Sequence, residues 1–116
     1  MVPYGVALDT SGNIYIADQG KTTNCNSTQG PAVLVFPPYN KKIPYKKPIR
    51  TIRGCKTMLY LPTDVKVNKD GVIYVADTTT TGSGIILIFA AGANGDVAPS
   101  ATYKSPGVVT GIGIIP

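Results

Sequence analysis

Gly12-Asn13-Ile14-Tyr15-Ile16-Ala17-Asp18 and Gly71-Val72-Ile73-Tyr74-Val75-Ala76-Asp77 lie 59 positions apart (12 to 71) and say nearly the same thing. Each copy opens at a turn glycine, runs through apolar and aromatic residues that favour extended backbone, and stops at Ala-Asp before a polar loop. A strand with one wet face alternates polar and apolar residues. These do not, so the pattern predicts a strand covered on both faces.

The flanking sequence repeats around that strand. In the first unit Pro3 to Asp9 reads as a strand, Thr10-Ser11-Gly12 as a tight polar turn, and Asn13 to Ala17 as its hairpin partner. A long polar loop, Asp18 to Gly30, leads to a third strand, Ala32 to Phe36. Pro37 to Pro48 holds four prolines and four lysines, so it is a connector that cannot sit inside a ladder. Ile49-Arg50-Thr51-Ile52-Arg53 then reads as a half-exposed edge strand. The order restarts with Pro62 to Val67, the turn Asn68 to Gly71, and strands at Val72 to Ala76, Gly84 to Phe89 and Ser100 to Lys104. Ala90 to Pro99 is the second connector, and Val108 to Pro116 leads out.

The predicted fold class is therefore all-β, with two four-stranded antiparallel blades of a β-propeller, 1–61 and 62–116. A sandwich or small barrel is the alternative, but neither usually repeats in strict four-strand phase. Only one interblade interface is available to Ile14, Ile16, Val33, Val35, Ile73, Val75, Ile86 and Ile88, so two apolar faces stay open.

Composition narrows the chemistry. The 116 residues include 13 Gly and 10 Pro, which leaves little room for helices, and no His. Glu is absent too. Zinc sites built on imidazole and His-dependent triads are thereby excluded, and no cofactor is expected. The carboxylate side chains are Asp9, Asp18, Asp64, Asp70, Asp77 and Asp96. No apolar run is long enough to span a membrane. The chain enters a strand by Tyr4, so a secretion signal is expected to have been removed or omitted. Net charge is +5, and seven of the eleven cations (Lys41, Lys42, Lys46, Lys47, Arg50, Arg53, Lys56) fall in one stretch.

Pro3-x-Gly5-Val6-Ala7-Leu8-Asp9, followed by the Gly12–Asp18 strand and Val33-Leu34-Val35-Phe36, resembles the NHL repeat. The second copy resembles it as Pro62-Thr63-Asp64-Val65, Gly71–Asp77 and Ile86-Leu87-Ile88-Phe89. The tract from Phe89 to Pro99 is similar to connectors of bacterial secreted NHL-like propellers. Two departures stand out: Asp64 replaces Gly5 in the second copy, and the loop after the second strand is enlarged in the first. The resemblance implies a propeller, most familiarly six-bladed. Some NHL propellers bind RNA or proteins, and related lactonase-like and lyase-like propellers are enzymes, although those use His or Glu as well.

Cys25 sits between strands two and three, and Cys55 follows strand four. In an up-and-down sheet those connections leave from the same end, so the pair is expected to form a disulfide, in an oxidising compartment. The alternative is two unrelated thiols. Asn26-Ser27-Thr28 is formally a glycosylation sequon. Asp18 and Asp77 end equivalent strands; axial carboxylates can hold Ca²⁺, but turn capping is the simpler reading. The basic stretch, with Tyr39, Tyr45 and Tyr60 near it, suits a nucleic-acid backbone or, more simply, an edge guarded by lysine and proline.

These observations lead to a non-catalytic binding or scaffold module, secreted or otherwise extracytoplasmic, that takes a protein, peptide or glycan on loops at one end. The candidate binding residues are Gln19, Lys21, Asn24, Asn26, Lys56 and Tyr60; no catalytic or metal residues are assigned. The partner for the open faces is either itself, as a head-to-tail homo-oligomer with a trimer favoured, or the remaining blades of a longer chain. A propeller-type Ca²⁺-dependent hydrolase or lyase is the rival reading, and RNA binding along Lys41 to Lys56 a third; a nucleic-acid partner is not favoured.

Overall fold

The computed structural model describes residues 2–40 and 47–104. Lys41, Lys42, Tyr45 and Lys46 of the basic stretch, and the tail Val108 to Pro116, lie outside the described residues. The strands are β1 (Pro3–Leu8), β2 (Ile14–Asp18), β3 (Ala32–Phe36), β4 (Arg50–Arg53), β5 (Asp64–Val67), β6 (Ile73–Thr78), β7 (Gly84–Phe89) and β8 (Ala101–Lys104). They form two four-stranded sheets, in the orders β1-β2-β3-β4 and β5-β6-β7-β8, with every neighbouring pair antiparallel. The all-β expectation and the two four-strand units are met. One short 3₁₀ turn, Cys55–Thr57, interrupts the segment between the sheets.

Side chains close the two equivalent hairpins. Asp9 Oδ1 accepts the amides of Ser11 and Asn13, each at 2.9 Å, and Asn68 Oδ1 accepts those of Asp70 and Val72 at 3.0 and 2.9 Å. Such local bonds satisfy turn amides that the ladder cannot reach. The ladder register then fixes which side chains share a face, because successive residues point to opposite sides.

Gly5-Ala17-Val33-Ile52 and Ala7-Tyr15-Val35-Arg50 form one face of the first sheet, and Val6-Ile16-Leu34-Thr51 and Leu8-Ile14-Phe36 the other. In the second sheet Val65-Val75-Leu87 and Val67-Ile73-Phe89 share one face, and Asp64-Ala76-Ile86-Tyr103 and Lys66-Tyr74-Ile88-Ala101 the other. The core lies where the Tyr15 face of the first sheet meets the Val65 face of the second. Tyr15, Val33, Val35, Ile52, Val65, Ile73, Val75, Leu87 and Phe89 are all buried there. Each large apolar side chain so buried contributes about 1.5–3 kcal/mol.

The expected interface composition is thus half right. Val33 and Val35 meet Ile73 and Val75, but Ile14, Ile16, Ile86 and Ile88 lie on the outer faces and are only half-buried. The two copies of the repeated strand are therefore not covered equally. In the first copy Tyr15 and Ala17 are buried and Ile16 is not; in the second, Ile73 and Val75 are buried and Tyr74 is not.

The sheets touch most closely at their first strands. An added Cβ on Gly5 would lie 2.8 Å from Asp64 Cα, so only glycine lets β1 approach β5 to this distance.

β4 is the edge strand of the first sheet and half-buried, as expected, but its open edge is not left to solvent. The connector after β7 runs beside it: Thr51 N donates to Asn94 Oδ1 (3.0 Å), Gly95 N to Thr51 O (2.8 Å) and Arg53 N to Gly95 O (3.2 Å). Ile52 and Gly95 form a parallel bridge. Arg50 shares the inward face with Ile52 and donates to Ala93 O at 3.1 Å. The edge is paired rather than merely guarded by charge.

Candidate functional site

The β2–β3 loop, the segment from Gly54 to Thr63 and the β6–β7 loop all leave from one end of the two sheets. The Cys25–Cys55 disulfide joins the first two across a Cα–Cα distance of 4.8 Å, within the span such a bridge needs. The pairing expected from strand order is present.

Among the described residues, three concavities lie at this end, and two of them flank the disulfide. One, of about 400 Å³, is bordered by Asn26, Ser27, Arg53, Gly54 and Asp96. A second, of about 350 Å³, is bordered by Thr23, Met58, Leu59, Tyr60, Thr79 and Ile85, and thus by all three loops. A third, of about 320 Å³, is bordered by Asp18, Gly20, Lys21, Gln29 and Arg53. Both cysteines border the first two, so the disulfide is the ridge between them.

The sequence-derived candidates are distributed among these hollows rather than gathered in one. Asn26 borders the first, Tyr60 the second and Lys21 the third. The Gln19 amide ties the start of the loop to Val2 O at 3.0 Å, and Asn24 Oδ1 accepts Asn26 N at 3.0 Å within the loop. Asn26 Oδ1 rests 3.2 Å from Cys55 Sγ. The Lys56 amide donates to Asp96 Oδ1 at 2.8 Å, and its side chain is exposed.

Met58 lies between the candidates Lys56 and Tyr60 but is not one of the six. It adopts φ 66° and ψ 5°, a left-handed conformation uncommon outside glycine, with its side chain exposed. That turn sends the next residue, Leu59, into the core. Methionine has no preference for this conformation, so nothing local in the sequence announces it.

The repeated aspartates do more than cap turns. Asp18 Oδ1 accepts Gly20 N and also Val2 N, both at 2.8 Å, and its other oxygen lies 3.8 Å from Arg53. Asp77 accepts Tyr60 N (2.9 Å), Leu61 N (2.7 Å) and Thr78 N (2.6 Å). Each carboxylate therefore clasps the chain that enters the first strand of its own sheet. Burial pushes the Asp77 carboxyl above its usual range, against the opposing pull of those three amides. Among the described residues no three Cys, His, Asp or Glu side chains come together.

Two arginines of the basic stretch are committed inside the fold. Arg53 Nε donates to Gly30 O at 3.1 Å, and Arg50 donates to Ala93 O and to the Tyr15 hydroxyl. In comparisons with known proteins, no family model, curated protein or solved structure matches this chain.

Proposed function

We propose that this chain is a non-catalytic binding module made of two NHL-like propeller blades, which takes a protein, peptide or glycan on the loops of its disulfide end. The observation that carries the reading is the way the two sheets stack. The Tyr15 face of one lies on the Val65 face of the other, two non-equivalent faces of one repeated unit. Successive blades of a propeller stack in this manner, each presenting its front to the back of the next. Further blades, from copies of this chain or from the remainder of a longer one, complete the ring; three chains would supply the six blades that the NHL resemblance implies.

The binding end is argued from the loops. Rigid sheets hold three hollows at the disulfide end, and recognition residues are commonly carried by loops on such scaffolds. The carboxylates that a Ca²⁺-dependent enzyme would use already receive backbone amides. The disulfide suits a secreted or other extracytoplasmic protein, and no helix among the described residues is long and apolar enough to cross a membrane.

The reading is tested by probing the protein against peptide and glycan arrays, with Lys21→Ala, Asn26→Ala and Tyr60→Ala alongside. A probe that binds, and loses at least tenfold in affinity with one or more of these variants, supports it. Retention of a peptide or glycan by all three variants overturns the assigned end. Binding of single-stranded RNA instead, weakening steeply with salt, would move the activity to the basic segment.

A further inference from the structure

The two outer sheet faces are not two unrelated apolar patches. By the repeat, Val6, Leu8, Ile14, Ile16, Leu34 and Phe36 of the first sheet occupy the positions of Val65, Val67, Ile73, Val75, Leu87 and Phe89 in the second. The second set is packed into or against the core. In the first set Val6 is 61% and Leu8 62% exposed. In the same way Tyr74, Ile86, Ile88 and Tyr103 of the second sheet stand where Tyr15, Val33, Val35 and Ile52 stand in the first. Those four are buried, whereas Tyr103 is 65% exposed. Among the described residues the molecule therefore contains one contact between a front and a back, and leaves one further back and one further front uncovered.

We infer that a second copy of this chain docks its first sheet, by the Val6 face, onto the Tyr103 face of the second sheet, repeating between chains the stacking that already exists within one. The inference rests on the blade reading above and goes beyond it by naming the occupant of the open faces. Two features favour a copy of this chain. At the apolar positions the surfaces that would meet carry the same kinds of side chain that already pack inside, with Tyr74, Ile86 and Ile88 in place of Tyr15, Val33 and Val35 and Val6, Ile16 and Leu34 in place of Val65, Val75 and Leu87. The two faces are present in equal number on every chain, so no surface is left over in the middle of an assembly. The match stops at the first strands: Asp64 and Lys66 stand where the inner contact has Gly5 and Ala7, so β5 of one copy stands farther from β1 of the next than β1 stands from β5 within a chain.

Such a contact is heterologous, so it closes into a ring or extends into a filament. Propellers typically hold four to eight blades, which corresponds to about two to four chains of this length.

The test uses size exclusion with light scattering on the full chain and on two variants, Val6→Asp and Tyr103→Asp. Both replace exposed side chains, so neither disturbs the internal core, and circular dichroism melting confirms that each remains folded. The expected result for the parent chain is a mass at a multiple of 12.1 kDa. Each variant alone falls to 12.1 kDa, because each has lost one member of the face pair. Mixed in equal amounts they form a species of twice 12.1 kDa, since the intact Tyr103 face of one can still receive the intact Val6 face of the other. A ladder of masses for the parent with the same variant behaviour also supports the contact, as an open filament. A parent chain that stays monomeric at every concentration overturns the inference, and so does a mixture that fails to pair. Loop-dependent binding by a monomer in the array experiment would leave the proposed function standing while this inference fell.

Discussion

Arg50 donates to the hydroxyl oxygen of Tyr15 across 2.6 Å, with the guanidinium carbon 5.4 Å from the centre of the same ring. The hydroxyl in turn donates to Asp9 Oδ2 at 2.9 Å. A cation and a carboxylate at opposite edges of the first sheet are thus joined through one phenol at the rim of the core. Burial, followed by the bond to Asp9, pushes the Tyr15 hydroxyl above the usual tyrosine range, while Arg50 pulls the other way.

Tyr15→Phe keeps the ring and removes the link. Arg50 and Asp9 each lose a partner close to the core, and the expected loss of stability is about 1–3 kcal/mol. Chemical denaturation of the variant beside the parent measures it. In the parent the raised phenol contributes stability that is complete below the ordinary tyrosine range and is lost as pH rises through the folded value. A pH titration of unfolding should show that alkaline loss in the parent and a smaller one in Tyr15→Phe.

The disulfide joins cysteines 30 positions apart, and closing such a loop typically adds about 2–4 kcal/mol. Intact mass without reductant should be two hydrogens below the reduced mass. The Cys25→Ser/Cys55→Ser double variant should lose stability in that range while keeping both sheets by circular dichroism. Two freely alkylatable thiols in protein never exposed to reductant would contradict the bridge.

Asp9 and Asp77 should give opposite pH slopes. At Asp9, burial pushes upward, but bonds from Asn13, Tyr15 and Ser11 outweigh it and leave the carboxyl below its usual range. It therefore contributes stability above the ordinary carboxylate range, lost as pH falls through the lowered value. Asp77 is raised by burial. Its contribution is complete at acid pH and is lost as pH climbs through the ordinary range to the raised value. Asp9→Asn should flatten the acid side of the stability profile. Asp77→Asn should remove the opposing slope and also cost about 1–3 kcal/mol at neutral pH, because its amide group would confront a backbone N–H. Denaturation between acid and neutral pH, with both variants, checks the two signs.

Much of this fold was legible because a twofold repeat carries its own control. Gly12 and Gly71 keep step with Tyr15 and Tyr74, Phe36 and Phe89 match once the longer loop of the first copy is allowed for, and strand order alone brought Cys25 beside Cys55. What could not be read was which face of each repeated strand meets the other sheet, since Ile14 and Ile16 are as apolar as Tyr15 and Ala17. Arg50 read as a surface charge because nothing local shows that Tyr15 and Ala93 O receive it. The backbone-clasping role of Asp77 was also hidden, because its partners, Tyr60 and Leu61, arrive from 17 and 16 residues away. The hollows at the disulfide end depend on three loops meeting, which no single stretch encodes.

Gly54 and Asp96 provide the sharpest test of the covered edge. Gly54 has φ 133°, which disfavours any side chain, and an added Cβ would overlap the carboxylate of Asp96. Asp96 belongs to the connector that pairs with β4, and its Oδ1 receives the Lys56 amide. Gly54→Ala should therefore push the connector outward rather than simply strain one turn. The backbone cost alone is of order 1–3 kcal/mol. Hydrogen exchange distinguishes the two outcomes. If the connector is displaced, the amides of Arg53 and Gly95, which bond across that edge, should exchange far faster in Gly54→Ala, while the Val33 and Ile52 amides inside the sheet stay protected. Unchanged exchange at Arg53 and Gly95 would mean that the connector does not depend on the bare backbone of Gly54. Asp96→Ala, which frees the space without altering Gly54, should restore part of the stability lost in Gly54→Ala.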